Sequence, residues 1–276
     1  MSWKDEVDGI GKRREQALKM GGDEAVARQH ERGRLTIRER IDALGDAGTF
    51  REEGPIAGFS EVEDQGELKA FTPGNYVRGG LQVEGRPCVV GGEDFTQRGG
   101  SPTPAGLRKS VYAEELALRY RLPLVRFLEG GGGSVTGTGG KQSGASRPMG
   151  DPVYVTSRFK AMADVLQTAP VVSAAMGAVA GLPAARLAAS HFSVMTRNTS
   201  QVLVAGPAVV ERALGEKLTK EELGWAQVHL RSGVVDNVAE DEAGVMEQIR
   251  SFLSYLPRNT CLLYTSPSPR DLSTSR

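Results

Sequence analysis

The chain has 276 residues, 39% of them hydrophobic, which is enough to bury a core of ordinary globular size. Its 34 basic and 34 acidic side chains balance, and this lack of a charge excess argues against nucleic acid as a partner. The two cysteines, Cys88 and Cys261, are too few and too widely separated for a disulfide framework or a zinc ribbon, which favours the reducing cytoplasm.

Residues 1–8 alternate charged and polar side chains and lack the apolar centre of a signal peptide, so we expect no export. An uncharged segment rich in Ala and Val lies between Asp164 and Arg186. Because Pro170 and Pro183 interrupt it, we predict a buried strand, turn and helix there rather than a membrane span.

The first 46 residues form a predicted N-terminal helical arm. Helices are predicted at 3–20, 23–32 and 36–44, the last with the paired charges of Arg38 and Glu39. Because the arm is rich in charge, we expect it to pack on the outside of the domain or on a neighbouring subunit.

Residues 47–260 are predicted to form one α/β domain. Short β segments lie between Ile56 and Asp94, including a hairpin with strands at 81–83 and 88–90 and a turn at 84–87. Beyond them, strands are predicted at 122–129, 171–175 and 192–195, and helices at 105–121, 151–166, 181–189 and 250–255. Strands that alternate with helices in this way predict stacked ββα units.

The last sixteen residues depart from this pattern. Residues 261–276 have no periodicity and are rich in Ser, Pro and Thr, so we expect them to be disordered. They also resemble a translated sequencing-adapter peptide of the kind found at broken ends of environmental reading frames. We therefore expect the natural protein to continue differently after Thr260.

Two junctions between a strand and a loop carry the strongest functional signal. The first strand ends at Glu129 and is followed by four glycines, and the second leads from Pro170 to Gly181. Glycines at the end of a strand expose backbone N–H groups that a ligand can approach, as in an oxyanion hole. We predict one pocket closed from two sides, with backbone donors at Gly131, Gly132, Gly181 and Leu182.

The glycines also allow other interpretations. A phosphate-binding loop fails around Lys141, because Val135 and Gln142 occupy two of its required positions, and no dinucleotide fingerprint occurs. A flexible surface loop remains an alternative, since nine glycines fall within residues 130–150.

Several blocks of sequence carry a family resemblance. The early blocks are GRLTIRERI at 33–41, GTFRE at 48–52, GRP at 85–87, DFT at 94–96 and GGS at 99–101. The later blocks are GPAVV at 206–210, the region 215–229, and LSYLPRN at 253–259. In order and spacing, over residues 5–260, they resemble the carboxyltransferase (β) subunits of biotin-dependent acyl-CoA carboxylases, of the propionyl-CoA and methylcrotonyl-CoA carboxylase type.

The resemblance implies a crotonase-like (Clp protease/crotonase) fold, of which this chain holds the acyl-CoA-binding domain. It implies transfer of a carboxyl group from carboxybiotin to the α-carbon of an acyl-CoA, with biotin carried by a biotin carboxyl carrier or biotin carboxylase subunit. Paired backbone amides would bind the enolate oxygen, and biotin itself would be the base, so a catalytic His is not required. It also implies a hexamer-type homo-oligomer and inactivity of this chain alone.

The chain departs from the family pattern at both junctions. Where the family has Asp-Ser-Gly-Gly-Ala-Arg, this chain has Glu129, four glycines and Ser134. Where the family has Ala-Gly-Gly-Ala, residues 180–183 are Ala-Gly-Leu-Pro, so Leu182 keeps its N–H and Pro183 has none. These changes reshape the pocket floor and leave the acyl group open.

Several further residues are candidates for binding or catalysis. Acyl-CoA binding is predicted for Gly99, Gly100, Ser101, Arg108, Lys109 and Gly133, with a solvated helix face as the alternative for the two basic residues. Asp94 and Glu129 end strands beside the pocket, where a carboxylate acts as a base or, more commonly, binds loop N–H groups. His229 is interpreted as structural, and no metal site is predicted.

Three hypotheses follow. The first is the acyl-CoA-binding half of a biotin-dependent carboxyltransferase. The second is an acyl-CoA decarboxylase subunit that uses the same oxyanion chemistry in reverse. The third is a non-catalytic assembly subunit, in which the changes at Ser134 and Leu182 record loss of activity.

Overall fold

A computed structural model describes residues 3–63, 68–131 and 157–257, so the expectations for 132–156 and 261–276 lie outside the described residues. The N-terminal helices are α1 (Lys4–Leu18), α2 (Asp23–Glu31) and α3 (Ile37–Leu44), which confirms the three predicted helices. A capping box starts α3: the Thr36 hydroxyl accepts from the Glu39 N–H at 3.3 Å, and the Glu39 carboxylate accepts from the Thr36 N–H at 2.7 Å.

Most of the described strands form one mixed sheet. In chain order the strands are β1 (Arg51–Glu52), β2 (Gly58–Val62), β3 (Leu68–Pro73), β4 (Tyr76–Val83), β5 (Arg86–Glu93), β6 (Leu124–Gly130), β7 (Val171–Ala180), β8 (Phe192–Thr196), β9 (Gln201–Leu203) and β10 (Asn237–Ala239). The sheet has the order β1-β4-β5-β6-β7-β8-β10, with β9 paired to β7, while β2 and β3 pair with each other. It is antiparallel from β1 to β5 and parallel from β5 onward.

The remaining described helices are α4 (Pro104–Tyr120), α5 (Arg158–Leu166), α6 (Leu182–Ala188), α7 (Pro207–Leu214), α8 (Lys220–Gly224), α9 (Ala226–Ser232) and α10 (Glu242–Ser254). In the described part of the chain, none is long and apolar enough to cross a membrane. The uncharged segment after Asp164 forms the end of α5, the strand β7 and the start of α6, which confirms the predicted strand, turn and helix.

The predicted hairpin is present, with a tighter turn than expected. β4 and β5 are joined by Glu84 and Gly85, whose φ angles are 50° and 71°. Both N–H groups donate to the carboxylate of Asp46, at 2.9 and 2.8 Å. The turn therefore has two residues instead of the four predicted at 84–87, because Arg86 already pairs with Val83.

β7 is longer than the strand predicted at 171–175. Its last residues pair with β9, Ala178 with Gln201 and Ala180 with Leu203. The predicted end of this strand at residue 175 is therefore wrong, because a partner strand more than twenty residues later in the chain stabilises the extended backbone. The second junction begins at Gly181.

Helices cover both faces of the sheet. On one face α3 packs against β4 and β5 and α10 against β7, β8 and β10, with Ile37 and Ile41 only 2% and 1% exposed. On the other face α4 and α5 pack around Leu124. The expectation that the arm lies outside the domain is wrong for α3, because its apolar stripe completes the core.

Candidate functional site

The carboxyl ends of β5, β6 and β7 meet at one edge of the sheet. The three strands are parallel neighbours, and Gly130 at the end of β6 pairs with Val179 near the end of β7. Glu93 ends β5, and Gly181 follows β7. The two predicted junctions are therefore adjacent in space, at the kind of edge where parallel sheets bind ligands.

A cleft of about 320 Å³, measured out to its open mouth, lies at this edge. It is lined by Asn75, Tyr76, Glu93, Gly100, Pro102, Gly106, Leu107, Ser110, Leu182, Pro183 and Arg186. Two predicted site residues, Gly100 and Leu182, thus come together on its walls although they are far apart in sequence. Its lining is mostly apolar, with the Glu93 carboxyl and the Arg186 guanidinium among its polar groups.

A tight turn at Arg98–Gly100 forms one wall of the cleft. Gly99 and Gly100 have φ angles of 60° and 67°, and a Cβ on Gly100 would lie 2.3 Å from the carbonyl oxygen of Glu129. Glycine is therefore required at this position. The N–H of Gly131 donates to the carbonyl of Gly99 at 3.3 Å, so the turn also holds the first described residue of the glycine loop.

The start of α6 also lines the cleft. Gly181 has φ 66° and ψ −123°, and Leu182 and Pro183 follow as the first residues of the helix. The N–H groups of a first helical turn have no acceptor inside the helix, and Pro183 has no N–H, so Leu182 presents such a donor beside the cleft. Gly132 and Gly133 lie outside the described residues, and the donor roles of all four residues stay predictions.

The side chain of Asn75 positions the segment that leads into α4. Its Nδ2 donates to the Ser101 carbonyl at 2.7 Å, and its Oδ1 accepts from the Thr103 hydroxyl at 2.7 Å. The Thr103 hydroxyl in turn caps α4 by accepting from the Gly106 N–H. Ser101, a predicted site residue, is therefore held next to the cleft.

Lys109 and Arg108 have different environments. Lys109 is 4% exposed, and its Nζ lies 3.9 Å from a carboxylate oxygen of Glu52. Burial lowers the pKa of Lys109 to about 8, although the negative charge of Glu52 acts to raise it. The solvated-face alternative is wrong for Lys109, while Arg108 is exposed. Contact with CoA phosphates stays a prediction for both.

Glu93 is a feature of the site that the sequence did not reveal. It is 7% exposed, lines the cleft, and accepts from the N–H of Glu129 at 3.3 Å. Burial raises the pKa of Glu93, and the positive charge of Arg186 opposes this rise. The sequence singled out Asp94 instead, since nothing local shows which of two adjacent buried acidic residues lines the cleft.

Asp94 accepts hydrogen bonds from the loop that follows it, which is the commoner of the two roles predicted for it. Its carboxylate accepts from the Thr96 N–H at 3.0 Å and from the Gln97 side chain at 2.7 Å. Glu129 differs, because its fully buried carboxylate accepts from Arg34 at 3.1 Å and Arg40 at 2.5 Å rather than from loop N–H groups.

Ion pairs behind the cleft fix Arg186. Its Nε donates to Glu114 at 2.9 Å, and Arg126 donates to the same carboxylate oxygen at 3.0 Å. All three side chains are at most 2% exposed. Such pairing is required, because a lone charge at this depth would carry a large desolvation cost.

The histidines take structural roles. His229 is hydrogen-bonded to the carbonyl of Val202 at 2.7 Å, which confirms the structural interpretation, and His191 accepts from the Val171 N–H at 3.0 Å. Over residues 3–63, 68–131 and 157–257, no group of three His, Cys, Asp or Glu side chains is placed to hold a metal ion.

Comparison with known proteins gives the family. The carboxyl transferase domain matches residues 28–272. The chain belongs to this family. The resemblance to the carboxyltransferase subunits of acyl-CoA carboxylases is thereby confirmed.

Three relatives illustrate the match. The propionyl-CoA carboxylase carboxyltransferase subunit of Haloferax mediterranei is 32% identical over 94% of this chain and 48% of its own length. The methylmalonyl-CoA decarboxylase subunit alpha of Veillonella parvula is 31% identical over 87% of this chain and 45% of its own length. A transcarboxylase 12S structure, described as a hexamer with methylmalonyl-coenzyme A and methylmalonic acid bound, has a TM-score of 0.75 and 26% identity over 95% of this chain and 49% of that one.

These matches confirm the predicted crotonase-like α/β fold. The chain spans about half the length of the curated relatives it matches.

Proposed function

We propose that this chain is the acyl-CoA-binding half of a biotin-dependent carboxyltransferase. The observation that carries the proposal is the cleft at the carboxyl ends of β5, β6 and β7, which both Gly100 and Leu182 line, in a chain of the carboxyl transferase family. The acyl thioester would bind there, with its oxygen toward backbone N–H groups of the two junctions.

The roles of individual residues follow from their positions. Gly181 and Leu182, with Gly132 beyond the described range, would supply the N–H donors to the enolate oxygen; the predicted donor Gly131 already gives its N–H to the Gly99 carbonyl and would have to release it. Ser101 and the glycines of its turn would border the CoA chain, and Arg108 on the exposed face of α4 would approach its phosphates. Backbone donors do not titrate, so the stabilisation they give is independent of pH.

The carboxyl group would be supplied by biotin carried on a partner, a biotin carboxyl carrier or biotin carboxylase subunit. Relatives named as propionyl-CoA carboxylase subunits support this assignment, and the hexamer described for transcarboxylase 12S supports a homo-oligomer. We infer that carboxyl transfer needs that partner and a second domain, so this chain alone would bind acyl-CoA without carboxylating it.

Acyl-CoA binding by the 276-residue chain tests the proposal. We expect titration calorimetry to show that propionyl-CoA binds more tightly than free CoA. Leu182→Trp should abolish the difference, because its side chain fills the cleft, whereas Leu214→Trp, at a position 70% exposed and away from the cleft lining, should leave it unchanged. Equal, weak binding of both ligands to the unaltered chain would instead favour a non-catalytic assembly subunit.

The decarboxylase alternative is favoured by one observation, the similarity to the Veillonella parvula methylmalonyl-CoA decarboxylase subunit. Both reactions pass through an enolate, so the cleft serves either. Release of carbon dioxide from methylmalonyl-CoA by the full-length protein with its biotin partner, in the absence of a carboxyl acceptor, would select the decarboxylase.

A further inference from the structure

The cleft of the proposed acyl-CoA site has a group of buried polar side chains in its lining. Tyr76, Glu93 and Arg186 line it and are 3%, 7% and 2% exposed, while Leu107 and Leu182 belong to its apolar part. Burial raises the pKa of Tyr76, the charge of Glu93 raises it further, and the charge of Arg186 lowers it. The three polar groups are therefore close enough to interact, and burial keeps the Tyr76 hydroxyl in its neutral, donating form.

Two of these groups have hydrogen-bonding capacity that no described residue uses. Arg186 donates from Nε and Nη2 to Glu114, at 2.9 and 3.5 Å, and within the described part of the chain its Nη1 donates to no residue. The Tyr76 hydroxyl also has no hydrogen-bond partner among the described residues, whereas the Ser110 hydroxyl in the same lining donates to the Leu107 carbonyl at 2.7 Å. Because a buried donor without a partner is costly, Arg186 and Tyr76 favour a ligand that carries an acceptor.

The charges around the cleft favour an anionic acceptor. Arg126 and Arg186 both donate to one carboxylate, that of Glu114, at 3.0 and 2.9 Å. Burial raises the pKa of Glu93, although both guanidinium groups act to lower it, and the raised pKa favours the neutral carboxyl group. With Glu93 neutral, two positive charges are paired with one negative charge, at a depth where an unbalanced charge is costly. A carboxylate in the cleft would balance them and accept from Arg186 and Tyr76.

We propose that the cleft selects acyl-CoA thioesters whose acyl chain ends in a carboxylate, which Arg186 and Tyr76 bind. The methylene groups of such a chain would lie along the apolar part of the lining, which includes Leu107 and Leu182. The carboxylate at the end of the chain is distinct from the carboxyl group that the proposed reaction adds at the α-carbon. This inference deepens the proposed function and rests on it, because the acyl group must bind in this cleft.

Binding of a matched pair of acyl-CoAs to the full chain tests the inference. Glutaryl-CoA and valeryl-CoA have acyl chains with the same number of carbons, and only the glutaryl chain ends in a carboxylate. We expect titration calorimetry to show that glutaryl-CoA binds about 10-fold or more tightly than valeryl-CoA, as charge-assisted hydrogen bonds to a buried guanidinium provide. Methylmalonyl-CoA, which carries its carboxylate on the α-carbon, is compared with propionyl-CoA and should show no such preference.

Two variants identify the groups responsible. Tyr76→Phe removes only a hydroxyl and should lower the affinity for glutaryl-CoA about 3-fold or more, and Arg186→Met should lower it about 10-fold or more. Neither should change the affinity for valeryl-CoA. The matched controls are Tyr112→Phe, whose ring lies under the Arg78 guanidinium, and Arg197→Met, at a side chain paired with Glu240. Neither control residue lines the cleft, so both should keep the preference for glutaryl-CoA.

Melting temperatures are measured for all the proteins. A preference for glutaryl-CoA that falls in both cleft variants, with unchanged affinity for valeryl-CoA, supports the inference, because a structural defect would weaken binding of both ligands. If Arg186→Met is unfolded, Tyr76→Phe decides by the same comparison. Equal binding of the two ligands by the unaltered chain, a preference that survives in either folded variant, or an equal loss for methylmalonyl-CoA overturns the inference and leaves the proposed function standing. Binding of no acyl-CoA more tightly than free CoA overturns both.

Discussion

At the residue scale, Lys109 is a basic side chain that is buried in the interior. It lies on the face of α4 that turns toward β4, where Glu52 is its nearest carboxylate and Arg38 and Arg78 add positive charge. Glu52 already accepts from both terminal nitrogens of Arg38, at 2.8 and 3.2 Å. Lys109 therefore shares Glu52 with Arg38, and burial has a larger effect on the pKa of Lys109 than the charge of Glu52.

We expect Lys109→Met to stabilise the protein at pH 7 by about 1–3 kcal/mol, since methionine fills a similar volume without a charge. The folded-state pKa of Lys109 is lowered to about 8 from 10.5. Between these values the unfolded chain holds more protons, so the free energy of unfolding of the unaltered protein rises with pH. The advantage of Lys109→Met should therefore shrink from pH 8 and vanish above pH 10.5.

Denaturant unfolding at several pH values measures this difference. Lys160→Met is the control, because Lys160 is exposed and pairs with Asp164 one helical turn away. Its effect should be small and the same at each pH. A Lys109→Met protein that is less stable than the unaltered one at pH 7 would mean that the Glu52 ion pair outweighs the cost of burial.

At the element scale, buried ion pairs tie the arm to the strand that feeds the glycine loop. Arg40 on α3 donates to Glu129 at the end of β6 and to Glu242 on α10, at 2.5 and 2.7 Å. Gln29 and Arg34 donate to the same Glu129 carboxylate, at 2.8 and 3.1 Å. The second half of the arm is thus part of the support of the candidate site.

We expect removal of the first half of the arm to lower the melting temperature much less than removal of both halves. Deletion of residues 1–18 removes α1, whose one buried residue is Ala17, and should lower the melting temperature by less than about 4 °C. Deletion of residues 1–35 also removes Gln29 and Arg34 from Glu129 and should cost about 3 kcal/mol or more, or roughly 10 °C.

Calorimetric scans of both truncations, beside a full chain carrying Gln29→Ala and Arg34→Ala, measure the effect. The double variant should reproduce most of the loss seen in the longer deletion, because the hydrogen bonds to Glu129 are its main cause. Equal melting temperatures for the two truncations would show that these bonds do not stabilise the fold.

Local signals explain which elements the sequence predicts. Helix α3 and the β4–β5 hairpin can be predicted, because the capping box of Thr36 and Glu39 and the turn at Gly85 involve residues that are close together in the sequence. The extension of β7 is not, since it depends on distant β9. The site divides in the same way. The junction glycines are visible in the sequence, whereas the place of Glu93 in the cleft lining and the burial of Lys109 depend on long-range packing.

At the scale of the whole molecule, β6 is anchored on both faces of the sheet. Arg126 points to one face, where it meets Glu114 and Arg186, and Glu129 points to the other, where it meets Arg40. Side chains three positions apart on a strand lie on opposite faces, so one strand reaches both clusters. Buried pairs add little net stability, but they fix geometry, and here they fix the strand that ends at the candidate oxyanion loop.

The last prediction concerns the acyl group that this arrangement accepts. Leu182 lines the cleft, so Leu182→Gly should enlarge it and shift preference toward longer acyl chains. We expect butyryl-CoA to gain on acetyl-CoA by about 10-fold or more in relative affinity, since each methylene in an apolar pocket contributes about 1–3 kcal/mol. Leu182→Ala is the control for the backbone freedom of glycine at the start of α6, and it should shift the preference in the same direction. Calorimetric titration of both variants with acetyl-, propionyl- and butyryl-CoA measures the ratio. If neither variant changes it, the acyl chain does not contact Leu182, and the acyl site lies elsewhere on the protein.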